Sequence, residues 1–187
     1  MKTRSLLVIG IVALLCASGL QAQTSRPLYA SVSVSYAAPS WSDVKGGYGI
    51  DAAFGTVINT HHYVELNVFY LKHDLDEPAR YSGTLTSIPV LATYRYAILF
   101  GHSGWSLQLG GSAGVAMQKV KESGPYGWSS SQSKTVAALA GQALAVYQIN
   151  DQISVHAGLK TIWTDKFNDG GDSGFDTLIT AGVSFHF

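Results

Sequence analysis

The chain has 187 residues, and because 12 Lys and Arg residues balance 12 Asp and Glu residues, its formal net charge is zero. A chain without a basic excess lacks the electrostatic footprint of a nucleic-acid-binding protein. Cys16 is the only cysteine, which excludes an exported domain held together by disulfides.

The first residues have the pattern of a secretory signal peptide. Lys2 and Arg4 precede an apolar run, residues 6–15, and small residues follow it. The run is shorter than the roughly 20 residues that a membrane-spanning helix needs. We expect cleavage after Ala22, so that residues 1–22 form the signal peptide and residues 23–187 form one exported domain.

Eight later stretches alternate apolar with polar residues, which is the pattern of a half-buried β-strand. The seventh is the clearest, because Val155, Ala157 and Leu159 alternate with His156 and Gly158. The sixth is rich in alanine and does not show which of its faces is apolar. The eight predicted strands are residues 28–38, 46–58, 63–73, 83–97, 105–119, 133–148, 153–165 and 175–187.

The connections between these strands alternate strictly in length. Short connections follow the second, fourth and sixth strands, and long polar ones follow the first, third, fifth and seventh. In an up-and-down sheet, all long connections then lie at one end, as in outer-membrane barrels. The strands also reach the roughly 9–11 residues that a membrane strand needs. The pattern predicts an all-β protein, an eight-stranded antiparallel up-and-down transmembrane β-barrel.

Aromatic residues are concentrated at both ends of the predicted apolar faces. Tyr36, Tyr48, Tyr70, Trp163 and Phe175 fall near the long connections, and Tyr94, Tyr96, Trp105, Tyr147, Phe185 and Phe187 fall near the short ones. Two aromatic girdles around an aliphatic band are typical of a barrel in a bilayer. The alternative is a soluble lipocalin-like barrel with its apolar face turned inward. The low charge content, 13%, disfavours this alternative, because a solvated outer face would carry more charges.

With the signal pattern, eight alternating strands, asymmetric connections and the terminal segment "VSFHF", the chain resembles the small eight-stranded outer-membrane barrels of the OmpA/OmpX type. The resemblance implies location in the bacterial outer membrane, with outer-membrane lipids as partners. It also implies that the outer-membrane assembly machinery recognises the last strand. That role would fall on Val183, Phe185 and Phe187.

An eight-stranded barrel has an interior just wide enough for side chains to fill it. Charges inside such a lumen must be paired. Glu65 and Arg95 lie at similar heights on adjacent predicted strands, and Asp51 and Lys160 lie at comparable heights further up. We hypothesise that these four residues form an ionic network in the lumen. A structural role is expected for it, with gating or conduction as the alternative.

The sequence offers little that could support catalysis. Ser154 and His156 share one face, and Ser184 and His186 lie on the neighbouring strand, but no acid that could orient either histidine is evident. We therefore expect them to form hydrogen bonds in the lumen. The loop "FNDGGDSGFD" lacks the ligand spacing of a calcium-binding EF-hand. We expect no enzyme activity, no cofactor and no metal site.

Four aromatic residues lie in or beside the long connections: Trp41, Tyr81, Tyr126 and Trp128. Exposed aromatics on polar loops suit ligand binding. We therefore expect a non-enzymatic structural or surface-interaction role through four long extracellular loops, with an extracellular ligand or surface partner. The alternatives are an outer-membrane enzyme acting on lipid A and a narrow channel.

Overall fold

The computed structural model describes residues 28–40, 44–75, 82–101, 103–124, 128–165 and 174–187. The predicted signal peptide lies outside the described residues. This part of the chain contains no helix long and apolar enough to cross a membrane. It forms the strands β1 (Leu28–Pro39), β2 (Gly47–Asn59), β3 (His62–Asp74), β4 (Ser82–Leu99), β5 (Trp105–Ser123), β6 (Ser129–Gln148), β7 (Ile153–Thr164) and β8 (Gly174–His186).

The eight strands form one closed antiparallel barrel in which every strand pairs with its neighbours along the chain. The barrel is closed by a seam between β1 and β8, which runs from Tyr29 opposite His186 to Pro39 opposite Asp176. Closure leaves neither of these strands with an unpaired edge along the seam. The predicted fold class is confirmed.

Side chains alternate between an exposed outer face and a buried lumen along each strand. Val34 is 62% exposed while its neighbour Ser33 is 2% exposed, and Ile179 is 63% exposed while Thr180 is 2% exposed. The outer face is thus mostly apolar, and most of the polar side chains of the strands face inward. This is the arrangement that a lipid environment requires, and it is the reverse of a lipocalin-like barrel.

Two strands extend well beyond their predicted bounds at the end with the long connections: β5 continues to Ser123 and β6 begins at Ser129, whereas β4 begins within one residue of its predicted start. β4, β5 and β6 have 18, 19 and 20 residues. The β5–β6 ladder continues from Lys119 opposite Ser133 to Ser123 opposite Ser129. The predicted ends at residues 119 and 133 were therefore wrong, because the serine-rich polar segment was assigned to a loop. A strand exposed to water on both faces shows no apolar alternation.

Arginine placed on the outer face should destabilise the barrel according to its depth in the bilayer. We expect Ile179→Arg, in the aliphatic band, to lower the free energy of unfolding by about 2–4 kcal/mol. Phe175 lies on the same face of β8 at the outer aromatic girdle, and Phe175→Arg should lower the free energy of unfolding by only about 0–1 kcal/mol. Urea unfolding in phospholipid vesicles measures both variants, and equal costs would contradict the membrane orientation.

Candidate functional site

The centre of the lumen contains a buried carboxylate with three partners. Arg95 Nη2 donates hydrogen bonds to Glu65 Oε2 at 2.6 Å and to the Tyr29 hydroxyl at 2.8 Å. The Tyr29 hydroxyl donates to the same Glu65 oxygen at 2.5 Å. Asn67 Nδ2 donates to Glu65 Oε1 at 2.9 Å and lies 2.7 Å from Thr93 Oγ1. Both carboxylate oxygens are therefore satisfied inside the barrel, as a buried charge requires.

Two aromatic rings flank the guanidinium group of Arg95. Its Cζ atom lies 5.6 Å from the centroid of the Tyr29 ring and 5.4 Å from that of Tyr63. The two rings meet edge to face, with their centroids 5.8 Å apart. Such contacts stabilise a desolvated cation. Neither tyrosine was among the predicted site residues. Tyr29 lies on β1 and reaches β3 and β4 across the lumen, whereas Tyr63 lies directly opposite Arg95 on the adjacent strand.

A second ion pair lies apart from the first. Lys160 Nζ donates to Asp51 Oδ2 at 2.9 Å, and both side chains are nearly fully buried. The ammonium group also lies 5.1 Å from the centroid of the Phe69 ring. The structure thus places the four predicted ionic residues in the lumen as two pairs, which we call the ionic layer: Glu65 with Arg95, and Asp51 with Lys160.

Two glycine residues leave room for side chains of the ionic layer. A Cβ atom added at Gly110 would lie 2.6 Å from Arg95 Cγ, and one added at Gly55 would lie 2.6 Å from Glu65 Cβ. Both distances are too short for non-bonded carbon atoms, so a larger residue at either position would displace a member of the pair. Gly55 and Gly110 thus allow close packing around the central pair.

Towards the extracellular end, an apolar layer fills the lumen. It comprises Ala37, Phe69, Leu71, Leu91, Ala116, Val136, Ala138, Ile162 and Leu178, all of them buried. Every strand except β2 contributes to it. The sequence analysis did not predict this layer. The sequence does contain a signal for this layer, because apolar residues stand on the otherwise polar face of several strands. Ile162 on β7 is the clearest case.

Towards the periplasmic end, the lumen contains a Ser–His cluster. His156 Nε2 lies 2.9 Å from Ser33 Oγ, and its Nδ1 lies 3.4 Å from Ser184 Oγ. His186 Nε2 lies 3.2 Å from Ser154 Oγ. Among the described residues, neither imidazole has a carboxylate as a hydrogen-bond partner, so the geometry lacks the acid of a catalytic triad.

One further polar contact crosses the lumen near the extracellular end. His73 Nε2 faces Asp176 Oδ1 at 3.5 Å, and His73 Nδ1 lies 3.3 Å from the carbonyl oxygen of Lys45. His73 and Asp176 lie on β3 and β8, which are not adjacent strands. No sequence pattern within one strand could have indicated this pair.

The remaining predicted residues lie on the outside of the barrel or outside the described residues. Phe185 and Phe187 are 45% and 66% exposed on the outer face at the periplasmic end, and Val183 lies on the same face. Trp128 is 53% exposed beside the start of β6. Trp41, Tyr81 and Tyr126 lie outside the described residues. Across the described part of the chain, no group of three or more His, Cys, Asp or Glu side chains could hold a metal ion.

A closed eight-stranded barrel with an apolar outer face, two aromatic girdles and a polar, filled lumen is an integral membrane protein of the outer-membrane type. The sequence profile of the outer membrane protein beta-barrel domain family matches residues 7–187. The chain belongs to this family, and its place is the bacterial outer membrane. The short turns between strands then face the periplasm and the long connections face the exterior.

Solved structures share this fold at low sequence identity. Neisserial surface protein A is 18% identical with a TM-score of 0.61, and the alignment covers 88% of this chain and 98% of that one. Ail, the attachment invasion locus protein of Yersinia pestis, is 16% identical with a TM-score of 0.62, covering 88% and 100%. A major outer membrane protein from Thermus thermophilus is 11% identical with a TM-score of 0.60, covering 86% and 99%. No curated protein sequence matches the chain.

Removal of one partner from the central ion pair should destabilise the barrel. We expect Arg95→Met to lower the free energy of unfolding by about 3–5 kcal/mol, because Glu65 would remain buried and unpaired. The double variant Arg95→Met/Glu65→Gln should recover much of this loss. Urea unfolding in detergent provides the measurement. Lys72→Met, on the outer face, is the control and should change stability by less than about 0.5 kcal/mol. A similarly small effect of Arg95→Met would contradict the role of the pair.

Proposed function

We propose that the protein is a non-enzymatic surface-interaction protein, whose extracellular end contacts ligands outside the cell. The observation that carries this proposal is the prolonged sheet of β4, β5 and β6, which extends the barrel wall on one side only. Residues 131–135 of β6 are exposed on both faces of this sheet. Exposed polar surface held on a rigid scaffold suits recognition.

The contents of the lumen favour this role over a channel. The apolar layer fills the lumen above the ionic layer, and its members Leu71, Leu91 and Leu178 are at most 1% exposed. An ion would have to pass buried leucine side chains, which offer it no ligands in place of water. We therefore assign the ionic layer a structural role, in which it satisfies the buried charges of a narrow barrel.

The Ser–His cluster gives no support to an enzyme acting on lipid A. Its residues Ser33, Ser154, His156 and Ser184 face the lumen and are buried. Lipid contacts the opposite face of the wall, so a lipid substrate would not reach these hydroxyl groups. We propose that the cluster holds the β7–β8–β1 part of the barrel together through hydrogen bonds.

The outer face supports two further partner proposals. The exposed aromatic girdles suit contact with outer-membrane lipids at headgroup level. Val183, Phe185 and Phe187 are presented outward at the end of β8, where the assembly machinery of the outer membrane could recognise them before the seam closes. No interaction with nucleic acid is proposed, because the chain has no basic excess.

The likeness to Ail suggests a first ligand for testing. Ail has been solved in complex with the heparin analogue sucrose octasulfate. In this chain, Lys119 and Lys121 lie on the outer face of the prolonged sheet and Lys72 lies on the outer face of the neighbouring strand β3, where a polyanion could approach them. The same face carries one carboxylate among the described residues of β3–β6, that of Asp74.

We expect bacteria that display the protein to adhere to immobilised heparin more strongly than cells without it. Shortening the β5–β6 hairpin, with Val120 joined to Gln132 through an Asn-Gly turn, should remove most of this adhesion while the barrel remains intact. Heat-modifiable migration in gels checks that the shortened protein folds. The double substitution Ser131→Ala/Ser133→Ala is the matched control and should adhere normally. Equal adhesion of cells with and without the protein would contradict the proposal.

A further inference from the structure

Among the described strands, the prolonged part of β6 has a partner on one side only. Its ladder with β5 extends to Ser123 opposite Ser129. Its ladder with β7 begins only at Ala138 opposite Thr164, and one more bond joins Asp165 N to Ala137 O at 3.1 Å. No described strand pairs with the other side of residues 129–136. We call this segment the β6 edge.

The backbone groups that point out of the β6 edge can be identified by their alternation. Ala137 O points towards β7, whereas Gln148 N points towards β5, where it donates to Gly104 O. In an antiparallel sheet, both backbone groups of a residue point to the same neighbour, and successive residues alternate. The N–H and C=O groups of Ser129, Ser131, Ser133 and Thr135 therefore point to the open side.

The β6 edge lacks the usual features that prevent strand addition. Natural sheets protect open edges with prolines, bulges or several charged residues. Residues 129–136 contain no proline and a single charged residue, Lys134. The register with β5 continues without a bulge through the whole segment. A regular edge of this length, which no described strand covers, is a template for an added strand.

We propose that the β6 edge binds an extended acidic segment of an extracellular protein, which adds to the sheet as a further antiparallel strand. The acidic character follows from the outer face beside the edge. Lys119 lies opposite Ser133 and Lys121 lies opposite Ser131, and neither lysine has an ion-pair partner among the described residues. The proposal rests on the proposed surface-interaction function and specifies its partner.

The geometry allows these lysines to reach an added strand. Carboxylates on its outer face would lie two strand spacings, about 9.6 Å, from the backbone of β5. Only the short side chains of Ser131 and Ser133 lie between them. A lysine and a glutamate together span this distance. Backbone hydrogen bonds would supply affinity, and the charges would select acidic sequences.

A second copy of the chain does not fit the β6 edge. Two barrels in one membrane share their orientation and are related by a two-fold axis along the membrane normal. Barrel strands tilt by about 35–45° from that normal, so the two β6 strands would cross at about 70–90°. Strands that cross at such an angle cannot form a continuous ladder.

The test uses the full barrel in phospholipid nanodiscs and a fluorescent, end-capped peptide of about eight residues that alternates Thr with Glu. Fluorescence anisotropy should show binding of this peptide. In a second version of the peptide, alternate residues are N-methylated, so that the N–H groups facing the β6 edge are blocked. This version should bind at least roughly tenfold more weakly. A Thr–Lys peptide should also bind more weakly, because it would face Lys119 and Lys121.

Matched variants separate strand addition from simple charge attraction. Ser131→Pro/Ser133→Pro removes two N–H groups that point to the open side of the β6 edge, and it removes no hydrogen bond to β5. The affinity for the Thr–Glu peptide should therefore fall roughly tenfold. Ser131→Ala/Ser133→Ala keeps those N–H groups and should bind within about twofold of the unchanged protein. Lys119→Gln/Lys121→Gln should weaken binding several-fold and reduce its salt dependence.

Two results would overturn the inference. One is the absence of detectable binding of the Thr–Glu peptide to the unchanged barrel. The other is binding that responds to the lysine substitutions but not to N-methylation, which would indicate charge attraction alone. If the proline variant does not fold, the N-methylated peptide on the unchanged barrel decides the question. Heparin adhesion without peptide binding would overturn this inference and leave the proposed function standing.

Discussion

The whole structure depends on one constraint, which is that a backbone N–H or C=O group in hydrocarbon must have a hydrogen-bond partner within the protein. An open sheet would leave two edges unpaired in the bilayer. The seam between β1 and β8 removes both. Phe187 takes part in this seam, because its N–H group donates to Leu28 O at 2.8 Å.

Closure with only eight strands determines what the lumen can contain. The interior is too narrow to be an open pore, so its charges are desolvated and need partners. Arg95 meets this requirement through Glu65 and two tyrosine rings, and Gly55 and Gly110 leave the space for these side chains. The lumen is thus the core of the protein, in which the apolar layer separates the ionic layer from the buried pair of His73 and Asp176 near the extracellular end. A filled core leaves the extracellular end as the surface that supports a function.

Much of the fold could be predicted from sequence because a period of two residues and the lengths of connections are local properties. The strands that face lipid on one side and lumen on the other were found nearly to the residue. Where a strand leaves the membrane, as β6 does before Val136, water contacts both faces and the pattern disappears. The extracellular ends of β5 and β6 could therefore not be predicted from the sequence.

The lumen could be predicted only in part. The number of residues from a strand end indicates which side chains lie at similar heights in the barrel. The predicted pairing of Glu65 with Arg95 rests on this count. It does not indicate contacts between strands that are distant around the barrel, such as Ser33 with His156 or His73 with Asp176. Those contacts depend on the register of every intervening pair. The apolar layer was missed because polar residues were expected throughout the lumen, although Phe69 and Leu71 share the inward face of β3 with Glu65.

Cysteine pairing across the seam tests closure most directly. Ser31 and Ser184 are buried and lie directly opposite each other. They form a non-hydrogen-bonded pair, for which a Cα separation of about 4.5 Å is typical, within the range that a disulfide spans. We predict that Ser31→Cys/Ser184→Cys forms a disulfide in isolated outer membranes under mild oxidation, seen as a reductant-sensitive shift in gel mobility. Ser35→Cys/Ser184→Cys, which is out of register, should form none. A disulfide in the second variant and not in the first would contradict the closed barrel.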